Sequence, residues 1–294
     1  MSRVLLTGAR GFVGRHALSA LSGAGHEVHA VGRRRGPEVA GVSWHEVDLL
    51  GGCEIVAEVE PEILVHLAWY AEHGKFWSSP ESVRWAQASL GLLRAFAAAG
   101  GRRVVMAGTC AEYEWSRAVY AEDAPTVPAT LYGACKHGLH TIAAAFAEQV
   151  DVSLAWGRLF FLYGPDEAPE RLVPALVRAL LAGERAPMTA GTQRRDFMHV
   201  ADAGAAFAAL ADSALTGAVN VASGEGVELR ELASRIAAQT GGERLLALGE
   251  LPMRAGDPPS LVADARRLHD ELGFRARISL DAGLRDTISW WRAR

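Results

Sequence analysis

Tyr132 and Lys136 stand four residues apart, so a helix beginning near Leu131 carries the phenol and the amine on one face. Thr109 follows the apolar run Arg103–Ala107 and falls at the carboxyl end of the strand that run predicts. A hydroxyl, a phenol and an ammonium grouped in this way are the parts of a proton relay between a carbonyl and an alcohol. Tyrosine titrates near ~10, so bringing it to neutrality takes about 4 kcal/mol of preferential phenolate stabilisation. A neighbouring ammonium and a cationic nicotinamide in a desolvated site supply that kind of help. Thr109 is then placed to hydrogen-bond the reacting oxygen, and Lys136 to hold a nicotinamide ribose. A Tyr-x-x-x-Lys spacing is common in helices, and its weight here comes from what precedes it.

Residues 7–14 read TGARGFVG, between an expected strand and an expected helix. Gly8, Gly11 and Gly14 let the backbone turn sharply and approach a pyrophosphate, which takes the free N–H groups and positive dipole of the helix start. Arg10, Phe12 and Val13 lie in the same loop. Glycines also collect in turns for steric reasons alone, but the strand–loop–helix setting is the one a dinucleotide needs. About twenty residues on, an NAD binder places a carboxylate for the ribose 2′-hydroxyl. This chain has Gly32 followed by Arg33, Arg34 and Arg35. A guanidinium binds a 2′-phosphate bidentately where a carboxylate repels it, so the turn is read either as a solvated basic loop or, preferably, as an NADP(H) site. Asp48 and Leu49, after the third strand, are placed beside the adenine.

The elements that must position these groups follow a repeating pattern. Strands are expected at Val4–Leu6, Glu27–Val31, Ile63–Leu67, Arg103–Ala107 and Val152–Ala155, with helices at Phe12–Ala24, Glu81–Ala99 and Tyr132–Val150. Alternation of this kind predicts an α/β fold with a doubly wound parallel sheet and its ligand crevice at the strands' carboxyl ends. Residues 1–157 are read as the dinucleotide-binding domain. Beyond about Arg158 the rhythm changes, and residues 158–294 are read mainly as a smaller mixed α/β substrate-binding lobe, with segments near 196–222 packing back on the first domain. Helices are expected there at Leu172–Ala182, Asp202–Ala211, Leu229–Thr240, Asp264–Leu272 and Asp281–Arg292, with a loop carrying Arg194, Arg195 and Asp196.

Composition narrows the class. The chain has 294 residues, half of them hydrophobic and 22% charged, and a formal net charge of −4. Such a chain buries a sizeable core, and without a long basic run it is not read as a nucleic-acid binder. No apolar stretch approaches a membrane span, and the first apolar run stops too early for a signal peptide. Cys53, Cys110 and Cys135 sit at no metal spacing, so no metal is expected and a reducing cytoplasm is the expected location.

The chain resembles the extended short-chain dehydrogenase/reductase family, particularly its nucleotide-sugar branch. The resemblance runs over TGARGFVG (7–14), HLAW (66–69), AGTCAEY (107–113), YGACK (132–136), GRLFFLYGP (157–165), RRDFMHVAD (194–202) and NVASGEG (220–226). It implies a Rossmann-type domain, Thr109, Tyr132 and Lys136 as the catalytic residues, and Leu67, Ala68 and Trp69 along the cofactor. It implies Arg195 on a nucleotide diphosphate, Arg254 and Asp257 near the nucleotide, and a homodimer formed through Glu81–Ala99 and the Tyr132 helix. Arg194 and Arg195 are alternatively a surface pair with Asp196, and His199 is read as a core residue ordering the lobes. Trp69, Tyr70, His73, Phe76 and Trp77 either stack on a sugar or base or pack the lobe interface.

Departures from the family pattern select among its reactions. The Asp-Glu pair of the 4,6-dehydratases is replaced by Cys110 and Ala111, and the decarboxylase glutamate is matched only by Glu112, one place late. The cysteine of the 3,5-epimerase/reductases is also missing, since Ala111 stands two residues before Tyr113. Cys110 is read either as a substrate contact with acid/base potential or as a small buried residue. Phe161 replaces an asparagine that often touches the diphosphate. NADPH-dependent reduction of an NDP-4-keto-6-deoxyhexose is therefore the expected activity, with NDP-hexose 4-epimerisation as the alternative. A family member that binds NADP without catalysis, or one that reduces another ketone, is less favoured.

Overall fold

The computed structural model describes residues 1–253 and 256–294. Seven short runs, most of them rich in Val, Leu or Ile, form one parallel sheet: β1 (Arg3–Thr7), β2 (Glu27–Gly32), β3 (Val42–Glu46), β4 (Ile63–His66), β5 (Arg103–Thr109), β6 (Ser153–Leu159) and β7 (Gly217–Val221). Their order is β7-β6-β5-β4-β1-β2-β3, so the winding reverses between β1 and β4 and opens a crevice at their carboxyl ends. The register aligns those ends, with Thr7 opposite both Val31 and His66. This is the expected doubly wound α/β fold.

Strand alternation divides the core between the two faces. Val4, Leu6, Val28 and Val105 face α1 (Gly14–Gly23), whereas Leu5, Leu64, Val104 and Met106 face the other side. That second face is covered by α2 (Ile55–Val59), α3 (Glu81–Ala98) and α4 (Leu131–Gln149) through Leu92, Leu93, Phe96 and Leu139. The first α1 turn begins at Gly14, two residues later than expected, because the glycine loop itself occupies 8–13.

After β6 the chain leaves the sheet to form α5 (Leu172–Leu181), returns with α6 (Val200–Ala211) and β7, then leaves again for α7 (Leu229–Thr240) and α8 (Leu280–Arg292). Helix α6 lies against α1, where a Cβ on Gly204 would stand 2.5 Å from His16 Cβ. Helices α5, α7 and α8 share a separate core of Val173, Leu176, Leu232, Ile236, Leu284 and Ile288.

Two expectations need correction. Arg194–His199 is a strand rather than a loop, paired with Phe161–Tyr163, Gly226–Glu228 and Ser260–Ala263. Its charged residues are accommodated one by one: Arg194 is exposed, while Arg195 and Asp196 are buried and Arg195 donates to Asp257. Asp196 accepts hydrogen bonds from the backbone of Ser223, Gly224 and Ala263, which satisfies its burial. The segment Asp264–Leu272 forms only a single π-type turn, Arg267–Glu271, rather than a helix of nine residues.

Candidate active site

The glycine loop is a cradle that side chains would fill. Gly8 has φ +69°, and a Cβ there would meet the Ala68 backbone nitrogen at 2.7 Å. A Cβ on Gly14 would lie 2.0 Å from Gly8 O. The α1 start carries no side-chain cap at Val13, although Arg15 N–H and His16 N–H already donate to Gly11 O and Val13 O, so an anion at this end meets the loop backbone without a competing side chain. Ala68 N–H donates to Thr7 Oγ1 at 3.3 Å, fastening the end of β4 to the loop. Ser89 Oγ donates to Trp85 O, so it accepts from His66 Nε2–H, and His66 Nδ1 in turn accepts from Thr7 Oγ1 at 2.7 Å. Burial, with Lys136 nearby, holds His66 neutral by bringing its pKa to about 3. This Thr7–His66–Ser89 chain was not singled out from the sequence, although HLAW contains its centre.

The cradle fits the two phosphates of a dinucleotide, and the end of β2 is basic. Arg33 and Arg34 are exposed just beyond it, and the Arg10 side chain lies 3.8 Å from the place a Gly32 Cβ would occupy. Asp48 is exposed and accepts from Leu50 N–H, while Leu49 is buried in the core.

Thr109 ends β5 and caps the short turn Cys110–Glu112. Its Oγ1 accepts from Ala111 N–H, and its own N–H donates to Glu112 Oε1 at 2.8 Å. Thr130 caps α4 through Gly133 N–H, which sets Tyr132 in the first turn. Tyr132 N–H donates to Trp77 O, and the ring is edged by Trp69, Phe76 and Trp77 at centroid distances of 6.4, 5.0 and 5.9 Å. Burial pushes the phenol pKa up, with the Thr109 side chain working against it. Lys136 is buried one turn along, its Nζ donating to Ala107 O at 2.7 Å and lying 3.7 Å from the Trp69 ring centroid. Burial brings its pKa down to about 7, so it exchanges a proton readily near neutrality.

Beneath these groups lies an ion pair that the sequence reading missed. Glu112 is fully buried and accepts from Trp156 Nε1 at 2.9 Å and Arg158 Nε at 3.0 Å. Arg158 also donates to Tyr113 OH, which donates to Asn220 Oδ1 at 2.7 Å. The signal was the pairing of AGTCAEY with GRLFF. A buried glutamate on one strand-end turn needs a cation from the neighbouring strand.

A cavity of about 700 Å³ has Phe76, Trp77, Phe161, Arg171 and Arg195 in its wall, and it neighbours Tyr132 through Phe76 and Trp77, which edge that ring. Arg195 donates to Asp257 at 2.7 Å and faces the Phe161 ring, whereas Arg194 turns away to Gly226 O. Of the aromatic group, His73, Phe76 and Trp77 reach the cavity, Trp69 lies against Lys136, and the Tyr70 hydroxyl donates to Glu72. Cys110 packs with Tyr113, Tyr120 and Phe160, and burial pushes its thiol up to about 12. His199 caps α6 and packs on Tyr163. Arg254 lies outside the described residues.

A glycine loop at the switch point of a doubly wound sheet, with Thr109, Tyr132 and Lys136 at its carboxyl-end side, places the chain among α/β enzymes. The chain belongs to the NAD dependent epimerase/dehydratase family, whose model matches residues 4–222. A UDP-glucose 4-epimerase of Azospirillum brasilense is 32% identical over 99% of this chain and 92% of its own. A dTDP-4-dehydro-6-deoxy-D-allose reductase of a Streptomyces species is 28% identical over 98% of this chain and 96% of its own. Among solved structures, MoeE5 in complex with UDP-glucuronic acid and NAD is 34% identical, with a TM-score of 0.89 and 99% of each chain covered.

Proposed function

We propose that this enzyme uses NADPH to reduce the 4-keto group of a nucleotide-bound 4-keto-6-deoxyhexose. The observation that carries the reading is the end of β2, where exposed Arg33 and Arg34 follow Gly32 and the Arg10 side chain lies beside it, while the carboxylate opposite, Glu46, is paired with Arg35 at 3.9 Å. A 2′-phosphate suits that cluster, and an exchangeable NADPH suits a single reduction. The loop after Thr109 supports the same choice. Cys110 is a buried thiol and both Glu112 oxygens are engaged, so neither offers the free acid that elimination or decarboxylation needs.

Bound nicotinamide supplies the hydride. Thr109 and Tyr132 donate hydrogen bonds to the carbonyl oxygen, and Tyr132 gives its proton to the alkoxide as charge develops there. Lys136, with its pKa near 7, replaces that proton and holds the nicotinamide ribose. Arg195, steadied by Asp257, faces the diphosphate. The similarity to the Streptomyces reductase agrees with this direction.

Epimerisation at carbon 4 is the second reading, favoured by the similarity to the Azospirillum epimerase and to MoeE5, whose solved complex contains NAD. A panel of 4-keto and 4-hydroxy sugar nucleotides, with products identified by NMR, separates the two. Stoichiometric NADPH oxidation supports reduction, and interconversion of 4-hydroxy epimers without net oxidation selects epimerisation. Arg33→Ala combined with Arg34→Ala is expected to lower kcat/KM for NADPH about 10–100-fold while leaving NADH within about threefold. An unchanged NADPH/NADH ratio removes the 2′-phosphate from this site.

The homodimer belongs to the same reading. Helices α3 and α4 pack side by side and leave Val83 and Ile142 exposed. Light scattering on the purified protein checks it.

A further inference from the structure

The cavity beside Tyr132 contains a carboxyl group that the proton chemistry does not use. Glu167 is 4% exposed and sits in the cavity wall with Phe76, Trp77 and Arg171. Its Oε1 accepts from Arg171 Nε at 2.9 Å. Its Oε2 is buried and has no hydrogen-bond partner among the described residues. A buried acceptor left unpaired is costly, and native proteins keep few of them.

The backbone is bent to put it there. Asp166 adopts φ +66°, a left-handed conformation that is uncommon outside glycine. Glu167 N–H returns to Gly164 O at 3.3 Å. The turn sends Asp166 outward to Arg15 of α1 and Glu167 inward to the cavity.

Position separates Glu167 from the other unpaired oxygen in the wall, Gln193 Oε1. Gln193 is linked through Asp257 to Arg195, the arginine assigned to the diphosphate. Glu167 is linked to Arg171 and shares the wall with Phe76, whose ring centroid is 5.0 Å from that of Tyr132. Glu167 therefore marks the reacting end of the cavity. A phosphate has no proton to give a carboxylate and repels its ionised form. A sugar hydroxyl both donates and accepts, so it satisfies Glu167 whether or not the acid is ionised.

We infer that Glu167 is a specificity-determining residue whose free carboxyl oxygen hydrogen-bonds a hexose hydroxyl other than the oxygen at carbon 4. The inference rests on the nucleotide-hexose reading above and adds the residue that recognises the hexose. Arg171 orients the acid and leaves Oε2 for the sugar.

Matched pairs of probes test it: UDP with UDP-glucose, dTDP with dTDP-glucose, and GDP with GDP-mannose, titrated calorimetrically into the NADPH-loaded protein. For the base that binds, Glu167→Met is expected to weaken the hexose-bearing probe about 10–100-fold. The bare diphosphate should be unchanged. Glu167→Gln should recover part of the loss, because an amide still bonds a hydroxyl. Glu167→Ala gives the same comparison if the methionine variant folds poorly. Equal losses for both members of a pair, or no loss, overturn the inference, as does a wild-type protein that binds no hexose probe more tightly than its diphosphate. If the binding pattern holds and the 4-keto substrate oxidises no NADPH, the reductase reading fails by itself.

Discussion

Tyr132→Phe is expected to lower turnover by about 10²–10⁴-fold, the usual contribution of a positioned proton donor. Cofactor and sugar-nucleotide affinities should stay within about threefold of the parent protein. The substitution is sharp because the ring has its own supports. Trp69, Phe76 and Trp77 edge it, and its backbone N–H is held by Trp77 O. Phenylalanine keeps all of these and removes only the hydroxyl. Burial holds that hydroxyl protonated well above neutral pH, the form a carbonyl reduction consumes. Steady-state rates together with calorimetric binding check the result. A variant that retains a tenth of the parental turnover would falsify the assignment of Tyr132 as donor.

The second large effect concerns stability. Glu112→Leu leaves the Arg158 guanidinium, 3% exposed, without its anion. Removing one partner of a buried pair costs about 3–5 kcal/mol. For a chain of this size that is a fall of roughly 10 °C in melting temperature. The same change strips the Thr109 N–H and Trp156 Nε1 of their acceptor, so activity should fall even below the melting transition. The double variant Glu112→Leu with Arg158→Met removes both charges and should recover much of the lost stability. Thermal melts of the parent, both single variants and the double variant measure the coupling. If the double variant is as unstable as the sum of the single ones, the two side chains act independently and the ion-pair account fails.

Legibility in the sequence followed physical locality. Gly8, Gly11 and Gly14 were readable because each answers a short-range steric demand, and Tyr132 with Lys136 because one helical turn relates them. The strand Arg194–His199 was not, since Arg-Arg-Asp carries none of the apolar alternation that marks a strand. Its burial depends on acceptors and donors tens of residues away, such as Ser223 and Ala263. Glu112 shows the same limit. Its position one place beyond the expected acid looked like a departure from chemistry, whereas it anchors the turn beneath Thr109 through a partner 46 residues later. Glu167 stands two residues after a recognisable YGP, yet the sequence contains no sign that one of its oxygens is left unpaired. That becomes visible only when the cavity wall is assembled.

The return of the chain to complete its sheet has a consequence for how the protein is made. Residues up to β6 contain the whole cofactor cradle and all three relay groups, but β7 comes 58 residues after β6 has ended. Until it arrives, β6 is an open edge. Helix α1 also lacks the neighbour that Gly204 brings against His16. Arg103, buried at the start of β5, lacks the Leu210 and Leu215 carbonyls to which it donates at 2.7 and 2.8 Å. A nascent chain on the ribosome therefore carries a complete set of reactive groups on an incomplete scaffold. These long-range pairings make for slow folding and expose a sticky edge while it proceeds. Truncation near residue 158 is accordingly expected to yield an aggregating fragment rather than a minimal cofactor-binding domain.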